Sequence, residues 1–191
     1  MRLSAPARLP TKFGTLTIRA VEDDEGRQHA IVYKGTLANQ ENVPLRVHSE
    51  CLTGEVLHSL RCDCKEQLES ALAIIAAEER GLLIYLRQEG RGIGFFNKIE
   101  AYALQDKGYD TIEANARLGL PADTRTYEVA AAIISHLRIR SIRLLTNNPN
   151  KLRQLESHGI RVVERVPLRV TPNGINSHYL QTKLTKMHHI P

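Results

Sequence analysis

All three cysteines of this 191-residue chain fall between Cys51 and Cys64, spaced C-x10-C-x-C. This cluster constrains the fold most tightly, because sulfurs that share one ion must converge within a few ångströms of a common point. The window reads His48-Ser49-Glu50-Cys51-Leu52-Thr53-Gly54-Glu55-Val56-Leu57-His58-Ser59-Leu60-Arg61-Cys62-Asp63-Cys64, with histidines and carboxylates interleaved. A hydrophobic core has no use for so many metal-ligating groups. Three thiolates around a tetrahedral zinc leave a fourth position, and water there makes the site catalytic because zinc lowers the water's pKa toward neutrality. His48, His58 or Asp63 in that position would instead close a structural site, and both readings stand at this point. Redox pairing of Cys62 with Cys64 fits less well, since that chemistry uses C-x-x-C. Three cysteines in one short window build no disulfide framework, and in a reducing compartment such a cluster is more often metal-binding or catalytic.

The flanking segments fix where the window sits. Residues 11–36 read as a hairpin or meander, with alternation over 14–19, a polar turn over 22–26 and a second strand over 30–34. A third strand, 45–48, places Arg46 and His48 on one face and Leu45 and Val47 on the other. From Lys65 the period becomes helical, with Leu68, Leu72 and Ile75 on one face and a stop at Gly81. Cys64 then stands at a helix N-terminus, where the macrodipole favours a thiolate.

Residues 82–86 form an apolar run suited to a strand buried on both faces. Arg87-Gln88-Glu89-Gly90-Arg91-Gly92-Ile93-Gly94 follows at its carboxyl end, where open α/β sheets bind ligands. Glycines let backbone N–H groups approach an anion, and Arg87 and Arg91 bring charge; a plain glycine-rich connection is the alternative. A helix is predicted from 97 to 106 or 107, with Tyr102 a core tyrosine by default. Residues 108–121 lack periodicity and read as a functional loop. Asp123 or Thr124 reads as the N-cap of a helix over 127–137. After a strand at 141–145, Asn148 is a good N-cap and Pro149 a good first helical residue, so Thr146 and Lys151 lie beside a helix N-terminus. That outlines an anion site, or equally an ordinary capped turn with a solvated lysine. A short strand over 160–165 and a terminal helix over 178–187 complete an α/β fold: a mixed sheet with flanking helices, antiparallel N-terminal strands and a single domain over 1–191.

With 42% hydrophobic and 25% charged residues the chain has the composition of a soluble globular protein. It contains no run of about 20 apolar residues, and its first ten residues lack the apolar segment of a signal peptide, so a cytoplasmic protein without a membrane partner is expected. A net charge of +5 favours anionic partners. With no Trp and 5% aromatic residues there is no stacking platform for bases, which points away from nucleic acid and toward a small phosphorylated ligand. A nucleobase deaminase is the rival zinc enzyme, since His48-Ser49-Glu50 fits H-x-E, but the P-C-x-x-C half is absent: Arg61 precedes a C-x-C.

The stretches Arg46-Val47-His48-Ser49-Glu50-Cys51-Leu52-Thr53-Gly54, Leu60-Arg61-Cys62-Asp63-Cys64, the Arg87 to Gly94 segment, Ala101-Tyr102-Ala103-Leu104-Gln105-Asp106, Gly108-Tyr109-Asp110-Thr111 and Leu144-Leu145-Thr146-Asn147-Asn148-Pro149 occur in this order. Together they resemble the GTP cyclohydrolase II family, which opens riboflavin biosynthesis. The resemblance implies a zinc-dependent, magnesium-assisted conversion of GTP to 2,5-diamino-6-ribosylamino-4(3H)-pyrimidinone 5′-phosphate, formate and pyrophosphate. It implies Cys51, Cys62 and Cys64 as zinc ligands, a zinc-held water attacking C8 of the imidazole ring, and Tyr102 assisting ring opening. Asp123 falls on the family's general base and Arg125 on its proposed nucleophile toward the α-phosphorus. A guanidinium stays protonated in water, so charge stabilisation describes Arg125 better. Implied substrate contacts are Arg46, Val47, His48, Ser49, Glu50, Gln67, Glu89, Gly90, Arg91, Thr111, Thr146 and Lys151, with Mg2+ on the GTP phosphates and a homodimer as the assembly. The chain departs from the family pattern at Lys65-Glu66 and at Phe95-Phe96, both close to these residues. A zinc-stabilised module binding nucleotides or RNA would explain the cysteines and the charge, but not the matches at Tyr102, Asp123 and Arg125. A relative with another GTP-derived product is the further alternative.

Overall fold

The computed structural model describes residues 1–121 and 123–185. The predicted hairpin forms and is longer than its alternation indicated: β3 (Gly14–Glu22) pairs antiparallel with β4 (Gln28–Lys34), from Thr17↔Tyr33 to Glu22↔Gln28. Two short strands absent from the sequence reading, β1 (Arg2–Leu3) and β2 (Ala7–Thr11), pair with the free edge of β3. Both are largely exposed, so they carry little apolar alternation to read.

The rest of the chain alternates. After β5 (Val43–Ser49) come α1 (Leu52–Glu55) and α2 (Cys64–Ala77), then β6 (Gly81–Leu86), α3 (Gly94–Gln105), α4 (Thr111–Arg117) and α5 (Glu128–His136). β7 (Ile142–Leu145), α6 (Pro149–Ser157), β8 (Val162–Val166) and α7 (Ser177–Thr185) complete the order. One sheet runs β1-β3-β4-β6-β5-β7-β8. It is antiparallel as far as the β4–β6 pair, and β6, β5, β7 and β8 are mutually parallel.

β5 is central and buried along nearly its whole length, with both faces covered. Leu45 and Val47 join Ile84, Ile142 and Leu144 under Ala130, Ile133 and Ile134 of α5 and Leu155 of α6. On the other face Ala71 and Ile75 of α2 pack on Val32, Leu83 and Leu145. Each fully buried Leu or Ile contributes about 1.5–3 kcal/mol, which makes this two-faced core the main support of the strand ends.

The connections set the site. β5 leaves through α2 on one face toward β6, and its neighbour β7 leaves through α6 on the opposite face toward β8. Adjacent parallel strands that exit in opposite directions open a crevice at their carboxyl ends. Residues 49–51 and 146–151 border it.

Three expectations are corrected. Residues 108–121 are no irregular loop, because α4 lies within them; Asp110 accepts from the Ile112 and Glu113 amides while Glu113 reaches back to the Asp110 N–H, a complete capping box. At 7 residues the helix is too short to leave a periodic signature, although D-x-x-E was readable. Neither Asp123 nor Thr124 caps α5: Tyr127 occupies the cap position without a side-chain cap bond, and Asp123 binds Arg125 instead. The helix predicted from 97 begins at Gly94, inside the glycine-rich segment. Of the predicted terminal helix, Lys186 and Met187 lie outside the described residues.

Candidate functional site

Cys51 takes the cap position of α1, Cys64 is the first residue of α2, and Cys62 is buried between them. Two helix N-termini thus turn their N–H dipoles toward the sulfurs. The three Sγ atoms lie within 4.8 Å of one another, Cys51 and Cys62 at 3.7 Å. Tetrahedral Zn–S bonds of about 2.3 Å set sulfur–sulfur edges of about 3.8 Å, so the spacing fits one zinc ion. Gly54 leaves the space: a Cβ there would meet Cys62 Sγ at 2.7 Å and Cys51 Sγ at 3.3 Å. Hydrogen bonding among the thiols lowers the Cys51 pKa, while that of Cys62 is pushed up to about 11 and that of Cys64 well above its usual value. A cation bound among the three sulfurs would favour the thiolate form of each.

The candidates for a fourth protein ligand have other partners. His48 Nε2 lies 2.8 Å from Glu55 Oε1, Lys65 Nζ lies 2.5 Å from His58 Nδ1, and Asp63 Oδ2 accepts from Gln67 Nε2 at 2.5 Å. Among the described residues the metal-capable group consists of the three cysteines.

Arg46 and His48 face the pocket from β5, as alternation required. Arg46 donates to Leu145 O at 2.9 Å and to Gln67 Oε1 at 2.6 Å, while its buried Nε has no hydrogen-bond partner. Burial lowers its pKa to about 10. His48 stacks on Tyr85 with ring centroids 5.7 Å apart, and Tyr85 donates to Glu55 at 2.5 Å. Burial pushes the Glu55 pKa up to about 7. Ser49 Oγ accepts from Gln88 at 2.9 Å, and Glu50 pairs with Arg87 at 3.6 Å.

After β6 the segment Glu89–Gly92 makes a 3₁₀ turn with Gly90 and Arg91 left-handed, at φ 63° and 61°. Gly92 lies so close to Thr124 that a Cβ would meet Thr124 Oγ1 at 2.2 Å, and the Thr124 N–H donates to Arg91 O at 3.0 Å. The segment around Asp123 and Arg125 is thereby tied to the glycine turn. Glu89 accepts from the Leu52 amide at 2.6 Å, the Gly90 amide at 2.8 Å and Lys98 Nζ at 2.7 Å. Tyr102 lies 3.2 Å from Thr53 Oγ1, itself 3.6 Å from Cys51 Sγ, and burial pushes the phenol up to about 12.

Further cationic groups line the same pocket. Arg125 lines the pocket and binds the Asp123 carboxylate at 2.9 and 2.5 Å. Burial acts to raise the Asp123 pKa, but the Arg125 hydrogen bonds and charge outweigh it and hold the carboxyl below its ordinary range. Lys151 Nζ spans the crevice to Val47 O at 2.6 Å and lies 5.1 Å from the Tyr127 ring centre. Thr146 Oγ1 accepts from the Asn148 amide at 3.1 Å, and Asn148 caps α6 through the Asn150 amide at 2.9 Å, as its sequence position indicated.

Of the residues singled out from sequence, Arg46, His48, Ser49, Glu50, Cys51, Cys62, Cys64, Gln67, Glu89, Gly90, Arg91, Tyr102, Thr111, Arg125, Thr146 and Lys151 line one pocket. Val47 does not: its side chain is in the core and only its carbonyl turns toward Lys151. Asp123 stands behind Arg125 rather than on the wall. Sequence reasoning missed Arg61, Lys98 and Tyr179, all on the pocket wall, and Glu55 behind His48. Lys98 had a signal, since it precedes Tyr102 by one helical turn in α3. Tyr179, which lies 5.7 Å from the Arg91 guanidinium, comes from α7 and had none.

This arrangement is that of an α/β protein with a cluster of three cysteines able to hold a metal ion in a strand-end ligand pocket. Residues 2–167 match the family model described as GTP cyclohydrolase II. The chain is 50% identical over 184 residues to GTP cyclohydrolase-2 of Picrophilus torridus, covering 96% of each chain. It is 51% identical to that of Neisseria meningitidis serogroup A (97% and 94% covered) and 53% identical to that of Pseudomonas aeruginosa (97% and 91%). The chain therefore belongs to the GTP cyclohydrolase II family and is an enzyme of that family. A two-domain 3,4-dihydroxy-2-butanone 4-phosphate synthase from A. baumannii matches with a TM-score of 0.39 and 17% identity, the match covering 76% of this chain and 34% of that one, a likeness too slight to carry weight. Among the described residues no helix is long and apolar enough to cross a membrane.

Proposed function

We propose that this protein converts GTP to 2,5-diamino-6-ribosylamino-4(3H)-pyrimidinone 5′-phosphate, formate and pyrophosphate, with one zinc ion resident and Mg2+ entering on the GTP phosphates. The observation that carries the reading is a single pocket lined by the three-sulfur cluster and, from other segments of the chain, by Arg91, Arg125 and Lys151. Cys51, Cys62 and Cys64 would hold the zinc, which when bound supplies an activated water at near-neutral pH.

The chain's own groups supply the rest. Tyr102, with its phenol pushed up to about 12, keeps its proton at neutral pH and offers an O–H donor at the ring-opening end. Asp123 stays ionised and acts as the base. Arg125 remains a guanidinium because Asp123 holds its proton in place against burial, so it has no free electron pair and stabilises charge at the α-phosphorus. Lys151 and Thr146 sit at the start of α6, where backbone N–H groups and the helix dipole favour phosphate. The walls from Arg46 to Glu50, Gln67, Glu89 to Arg91 and Thr111 orient the nucleoside. The apolar side chains exposed at Val56, Leu57, Phe95 and Phe96 support a homodimer, which light scattering would read directly. The activity is tested by incubating zinc-loaded protein with GTP and Mg2+: formate and pyrophosphate appear in equal amounts, and their absence from fully loaded protein would overturn the reading.

A further inference from the structure

Lys98 is 9% exposed, lies on the pocket wall and has no role in the reaction outlined above. Its ammonium donates to Glu89 Oε1 at 2.7 Å and lies 3.2 Å from Cys51 Sγ. A buried Lys–Glu pair is complete without a third partner, so the sulfur is the feature to explain. Glu89 is itself fixed by the amides of Leu52, the residue after Cys51, and of Gly90 in the glycine turn. Three thiolates around a dication keep a net negative charge, and Glu89 adds another; Lys98 is the cation that touches both. Arg61, another cation on the pocket wall, is turned instead onto the Tyr102 ring and Asp106.

We propose that Lys98 is a positioning residue that locks the metal centre to the glycine turn, screening the Cys51 sulfur with one N–H and fixing Glu89 with another. The inference rests on the zinc reading of the three cysteines. A charged partner that hydrogen-bonds a metal ligand sets metal affinity as well as ligand orientation, and its loss costs about 10- to 100-fold in affinity. Lys98 is therefore a determinant of zinc retention, and the charge matters rather than the stem.

The test is competition for zinc between nucleotide-free protein and a chromophoric chelator. Lys98→Met and Lys98→Gln each lose about 10- to 100-fold in zinc affinity, and Lys98→Arg, which keeps the cation, recovers to within about threefold of wild type. A packing defect would be as severe in Lys98→Arg as in Lys98→Met, and that result overturns the proposal, as does wild-type affinity in Lys98→Met. If Lys98→Met fails to fold, the Gln and Arg variants make the same comparison. A wild-type protein that takes up no zinc overturns the metal reading and this inference with it. Wild-type protein that binds zinc, beside charge-free variants that bind it as tightly, overturns the inference alone.

Discussion

At the thiolate end of the pocket, Cys51, Cys62 and Cys64 come from one 14-residue stretch, whereas at the cationic end Arg91, Arg125 and Lys151 come from three distant segments: the turn after β6, the segment before α5 and the first turn of α6. The bond that ties Lys151 to Val47 joins residues 104 positions apart. Two helix N-termini and Gly54 suffice to converge the sulfurs, so that end depends on local geometry. Parallel β6, β5 and β7 lie side by side, which places the exits that carry Arg91 and Lys151 on one side of the sheet, and Arg125 is brought to them by the seat of Thr124 on the glycine turn. The two ends should therefore fail separately.

Breaking the thiolate end has the largest effect. Cys62→Ser lowers formate release by about 10³-fold or more, the loss of several kcal/mol of metal assistance, while circular dichroism and GTP binding stay near wild type. An unfolded variant would instead mark the metal as structural. Arg125→Met comes next, slowing pyrophosphate release by about 10²- to 10³-fold with zinc content unchanged. It also moves the pH profile. Without Arg125, burial is the dominant effect left on Asp123 and raises its pKa, so a base that must be ionised loses its proton only at higher pH. The acidic limb of the rate profile then shifts upward in pH, and an unmoved limb would contradict Asp123 as the base.

Lys151→Ala weakens GTP binding by about 10- to 100-fold, as loss of a charge-assisted bond implies, and leaves zinc content intact. Zinc loss in that variant would show that the two ends are coupled. The smallest effect is expected at the pocket's edge, where Asp110→Ala removes the capping box of α4 beside Thr111. It costs about 0.5–2 kcal/mol of stability, read as a lower melting temperature, and changes formate release far less than the other three.

The same contrast explains what the sequence made legible. The central strand, the helix after Cys64 and the capped turn at Asn148-Pro149 were readable because alternation, helical period and cap chemistry are local signals. So was the convergence of the sulfurs. The seat of Thr124 on the glycine turn was not, since it follows from a tertiary approach that Gly92 permits, and the pairing of Asp123 with Arg125, although only two residues apart, competes with a capping role that the same residues allow. Asp123 therefore looked like a cap, which its local sequence allowed. Lys98 shows the same limit, because its helical face could be inferred but not the sulfur that it meets.

The separation of the two ends is tested most directly by stripping the metal from the protein and restoring zinc at saturating GTP and Mg2+. Metal-free protein should still bind GTP through its cationic end yet release no formate, and zinc should restore formate release in proportion to the ion bound. Formate from metal-free protein, or loss of GTP binding together with the metal, would contradict this account.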